Sequence, residues 1–145
     1  MLLPWHAASE RFRAHDIEHI DEQALLALLT PQITTRNVYI TVDKDVLAQT
    51  DAITNWDQGH MPLARVLAVI RHVLAHHHAI GIDINGDYSD PYYAGPWHHT
   101  TLKRLEAMID QPRQHQYKSP EYEKLAAAVN QVSNLALLDC LREAL

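Results

Sequence analysis

Two aspartates separated by one lysine, Asp43 and Asp45 in "VDKDVL" (42–47), are the residues whose types and spacing most invite chemistry. They follow "NVYIT", a β-branched and aromatic run of the kind that forms strands. On a continued strand the two carboxylates would share one face, roughly 7 Å apart at the backbone, with Lys44 turned the other way. Paired carboxylates repel, and one takes up a proton unless a cation lies between them. Either a positive charge is expected there, or the strand has ended and both acids are solvated or serve as helix caps. A second set of oxygens, Asp83, Asn85 and Asp87, closes and follows the apolar run "AIGI". Oxygen donors converging at strand ends suit hard octahedral cations such as Mg²⁺ or Mn²⁺. Lys44, pointing away from its acidic neighbours, is expected to pair with an acid on the opposite face.

Eleven histidines are the compositional oddity. "HDIEH" (15–19) has the H-x-x-E-H spacing of some zinc peptidases, but that chemistry needs a helix. The first helix start signal, Asp21, comes only after it. "HHH" (76–78) falls in the last turn of a long helix, where adjacent side chains diverge and positive charge suits the dipole. His98 and His99 follow an aromatic loop and read first as a surface pair. Trp56, in "NWDQG", either covers a ligand or pins a long loop, and Cys140 reads as a small buried or boundary residue.

The elements that must position these groups follow from period and punctuation. Asp21 is an N-cap, with Glu22 in the first turn, before "ALLALL" and the stop at Pro31. A strand is predicted over 37–43, then a loop through Gly59, then a helix from Pro62. Leu63, Val66, Leu67, Ile70, Val73 and Leu74 form its apolar stripe. A second strand over 79–85 completes a parallel β-α-β unit. One further helix carries Leu102, Leu105 and Ile109. Ser119 and Pro120 open the last, whose expected buried stripe is Leu125, Ala128, Val129, Val132 and Leu135. Two strands make a thin sheet, open at an edge unless the first twenty residues add a third.

The chain of 145 residues reads as one domain, 1–145, with an ordinary 47% of hydrophobic residues. A net charge of −6 and the lack of a basic block speak against a nucleic-acid partner. One cysteine excludes an internal disulfide and fits a reducing cytosol. No apolar run spans a membrane, and the start lacks a signal peptide's pattern. A cytoplasmic location without membrane contact is expected.

Taken in order, the strand, "D-x-D-V-L", a long loop with a glycine, a long helix and a strand ending "G-x-D" resemble the second half of the arginase/agmatinase (ureohydrolase) superfamily. The segments "TNWDQGHMPLARVLAVIRHVLAHHHAIGIDI" and "VNQVSNLALLDCLREAL" look like that family's active-site loop, helix, next strand and closing helix. The resemblance covers residues 35 to 145. It implies a three-layer α/β/α fold with a small parallel sheet, like the second half of an arginase-like fold, and a pair of Mn²⁺ ions with Asp43 and Asp45 among their ligands. It further implies hydrolysis of a C–N bond in a small molecule, with Trp56, Asp57 and Asp87 on the substrate side. The family's third acid and proline would fall at Ala48 and Gln49, and its guanidinium-gripping glutamate near Gly86. The family's first-half metal motifs, one of them D-A-H-x-D, do not occur. The expectation is therefore a ureohydrolase-like polypeptide shortened at its N terminus, active only with a missing half. The rival is a non-catalytic α/β module that keeps the scaffold and binds a partner through its open sheet edge or the aromatic loop at Tyr92, Tyr93 and Trp97. Under either reading a homo-oligomer, or a partner completing the sheet, is expected.

Overall fold

The computed structural model describes residues 20–56, 58–88, 96–110 and 119–143. The "HDIEH" segment, Asp57, Tyr92, Tyr93 and any strand from the first nineteen residues lie outside the described residues. Helix α1 (Glu22–Leu29) starts where Asp21 accepts a hydrogen bond from the Ala24 amide, at 2.8 Å. Pro31 then turns the chain through a short 3₁₀ segment into strand β1 (Asn37–Asp43). Helix α2 (Leu63–His76) leads into β2 (His78–Asn85), which runs parallel to β1 from Asn37↔His78 to Asp43↔Asn85. Helices α3 (Trp97–Asp110) and α4 (Pro120–Arg142) follow. The mixed α/β class and the β-α-β order are as expected. Pro62 stands one residue before α2, and the three histidines divide between the end of α2, its cap and the first residue of β2.

Alternation along the strands gives the sheet two unlike faces. Ile40, Val42, Ile82 and Ile84 pack against Leu63, Val66, Leu67, Ile70 and Leu74 of α2 and against Leu137, Cys140 and Leu141 of α4. On the other face Tyr39, Thr41, Asp43 and Asn85 are exposed. The described residues thus supply the sheet and one helical layer; Trp97, Leu102 and Leu105 of α3 are exposed.

One stripe needs correcting. The face of α4 expected to be buried carries Leu125, Val132 and Leu135, each more than half exposed. The buried face is Ala126, Asn130, Ser133, Leu137, Cys140 and Leu141. Hydrogen bonding explains the rotation. Asn130 receives the Ile53 amide at 2.9 Å and donates to the Ile53 carbonyl at 2.7 Å, while Ser133 donates to the Asp51 carbonyl. Ile53 is buried, and a buried backbone amide and carbonyl need partners more than the helix needs extra apolar contact.

Candidate functional site

At Asp43 the strand stops. Its carboxylate accepts a hydrogen bond from the Asp45 amide at 3.2 Å, and Lys44–Val46 turn as a 3₁₀ segment. The acids therefore do not alternate along a strand. Asp43 plays the part of a turn cap, and Lys44 swings inward.

Lys44 is fully buried and forms an ion pair with Asp87, as expected for an acid on the opposite side. Its ammonium also donates to Asn134 Oδ1 at 3.0 Å, and Asn134 Nδ2 donates to the second oxygen of Asp87 at 3.2 Å. This triangle joins the end of β1, the turn after β2 and helix α4. The turn depends on Gly86, whose φ of +90° favours glycine. A Cβ there would lie 2.9 Å from Asp43 Oδ1.

The loop between Leu47 and Pro62 is fastened from both ends. Leu47 is buried and bridges Met61, with the Ala48 amide on the Met61 carbonyl at 2.9 Å. Gln58 donates to the carbonyls of Leu47 at 2.8 Å and Lys44 at 3.2 Å, and the Gly59 amide donates to the Asp45 carbonyl at 2.6 Å. Asp51 caps α2 by accepting the Leu63 amide at 2.8 Å. Trp56 remains half exposed on this loop.

Asp45 is partly buried in this cluster. Its Oδ1 is buried with no hydrogen-bond partner. Burial pushes its carboxyl above the usual range; the Thr54 hydroxyl works against that, and the charge of Asp43 adds to it. Asp83 is its opposite. The Thr41 hydroxyl, then the Asn85 amide, hold its carboxyl below the usual range.

The structure therefore gathers Asp43 and Asp45 at the carboxyl end of β1, with Asn85 as the sheet neighbour of Asp43, and turns Asp87 toward Lys44. An orphaned carboxylate oxygen is what a cation would satisfy. Yet among the described residues no three His, Cys, Asp or Glu side chains come together as metal donors. They do not fit a pair of Mn²⁺ ions, each of which needs several oxygen ligands. An open concavity of about 320 Å³ lies at the other end of the sheet, lined by Arg36, His76, His77 and His78 among others, away from the acids. Sequence reasoning missed Asn130, Ser133, Asn134 and Gln58 as positioning residues. The signal of Asn130, Ser133 and Asn134 was present as amides and a hydroxyl at helical spacing among the alanines and leucines of the last helix.

No family model, curated protein or solved structure matches the chain. Among the described residues no helix is long and apolar enough to cross a membrane.

Proposed function

We propose that the chain is a divergent member of the ureohydrolase-like metal hydrolases, acting on a C–N bond, whose Asp43 and Asp45 supply two metal donors. The other donors would come from beyond the described residues or from a partner polypeptide. The observation carrying this reading is the buried, unpartnered Oδ1 of Asp45 beside the carboxylate of Asp43, at the carboxyl end of a parallel strand. Ligands of open α/β sheets bind at such ends. Support also comes from the order of D-x-D strand, fastened loop, helix, strand and closing helix. Asp87, held by Lys44 and Asn134, shapes the site's floor under this reading, and Trp56 stands exposed at its rim.

A Mn²⁺ titration of the full 145-residue chain, followed by loss of the free-ion EPR signal, tests it. Uptake at micromolar metal is expected, tightening as pH rises because the bound carboxylates must be ionised. Asp45→Asn should weaken uptake strongly with its circular dichroism unchanged. No uptake at millimolar metal means that this chain alone is not an enzyme and moves the search to its missing half; equal uptake by Asp45→Asn defeats the assignment. The partner-binding module then becomes the better reading, favoured by the exposed apolar face of α4.

A further inference from the structure

We infer that the outer face of α4 pairs, antiparallel and about a two-fold axis, with the same face of a second copy of this chain. The inference is independent of the metal reading. It starts from the inner face, where Asn130 and Ser133 are bonded to the backbone of Ile53 and Asp51 and Asn134 to Lys44. Those bonds fix the rotation of the helix, and at about 100° per residue they hold Leu125, Ala128, Val132, Leu135 and Leu138 outward. Leu125, Val132, Leu135 and Leu138 are 53, 67, 54 and 55% exposed. Residues 125, 128, 132 and 135 alternate steps of three and four, the spacing of a helix–helix seam. A face meant for water carries charges. Here the stretch from Leu125 to Leu138 has no Asp, Glu, Lys or Arg.

The charges stand at the two ends of the seam, and they select the occupant. Glu121 and Lys124 precede it; Asp139 and Arg142 follow it, both well exposed and paired with each other at 3.1 Å. An antiparallel partner with its axis between Gln131 and Val132 lays Leu125 against the partner's Leu138. It lays Ala128 against the partner's Leu135, small against large. The same axis brings Lys124 to the partner's Asp139 and Glu121 to the partner's Arg142. All four pairs are complementary, and each occurs twice by symmetry. A parallel pairing in register would set every charge against its own kind, which is unfavourable. Antiparallel macrodipoles favour the same choice.

Sedimentation equilibrium of the full chain over a range of concentrations tests this. A reversible dimer is expected. Lys124→Glu, which faces the partner's Asp139 with a like charge, should raise the dissociation constant about tenfold. Adding Asp139→Lys to that variant should restore it. Val132→Lys should give a monomer with native circular dichroism. A chain that is monomeric throughout would mean that another segment or a different protein covers the face, and overturns the proposal. So does a dimer indifferent to Lys124→Glu, or one that the second change fails to rescue.

Discussion

In the middle of α4 the two faces carry the opposite of what polarity alone would assign. The inner face holds Asn130 at 4% exposure and Ser133 at 1%, whereas the outer face shows Leu125, Val132 and Leu135 to solvent. Inside, each polar side chain answers a backbone group of the Asp51–Ile53 loop that has no ladder to join. A buried amide or carbonyl without a partner costs about 1–3 kcal/mol, comparable with burying one aliphatic side chain. Three such groups offset the gain from turning Leu125, Val132 and Leu135 inward, and that rotation would also expose Leu137, Cys140 and Leu141. The lesson is that this helix is oriented by the loop it fastens, and that loop is the one next to Asp45.

The largest effect should come from breaking the inner face. Asn130→Leu keeps the branching of the side chain but leaves the amide and carbonyl of Ile53 buried and unpaired, so a loss of about 2–4 kcal/mol is expected in urea unfolding. The control on the outer face, Val132→Asn, should change the monomer's stability by no more than about 0.5 kcal/mol. Equal losses from the two would dissolve the contrast.

The Lys44–Asp87 pair sharpens it next. Lys44 is fully buried, but the Asp87 side chain is 55% exposed. Removing the acid by Asp87→Ala leaves a buried ammonium with Asn134 for an acceptor, and should cost about 1–3 kcal/mol. Lys44→Met instead buries an apolar chain and leaves Asp87 to the water, so it should cost less. The order of the two losses in denaturant titrations is the check; the reverse order would mean that the charge on Lys44 is solvated.

Much of the scaffold was legible because its signals are local. The bounds of β1, the Asp21 and Ser119 caps and the apolar stripe of α2 each follow from residues within a few positions of one another. The pairing of Lys44 with an acid across the fold could be read from strand alternation, although the strand ends one residue earlier. The rotation of α4 could not. It is decided by Asn130 meeting Ile53, 77 positions away in the chain, and periodicity weighs apolar content without knowing which loop lacks partners. The Asp43–Asp45 pair stood out by type and spacing, but whether each acid is capped, solvated or orphaned depends on the 3₁₀ turn and on Thr54, neither of which the D-x-D pattern encodes.

Asp45 and Asp83 extend the comparison to pH, with the smallest effects. In the folded chain Asp45 keeps its proton above the ordinary value of 3.8, so the folded state binds more protons than the unfolded one there. Stability from this group is present in acid and lost as pH rises through its folded value. Asp83 has the opposite sign: its pKa lies below 3.8, so its contribution is present above that pH and lost on acidification. Asp45→Asn should therefore gain slightly on the parent between about pH 4 and neutrality, because a neutral amide avoids the partly desolvated charge. Thr41→Val, which removes the main donor to Asp83, should flatten the acid side of the profile instead. Urea midpoints across pH separate the two variants. Mn²⁺ then inverts the first result if Asp45 is a ligand, since a cation favours the carboxylate over the amide: the parent should gain midpoint with added metal, and Asp45→Asn should not.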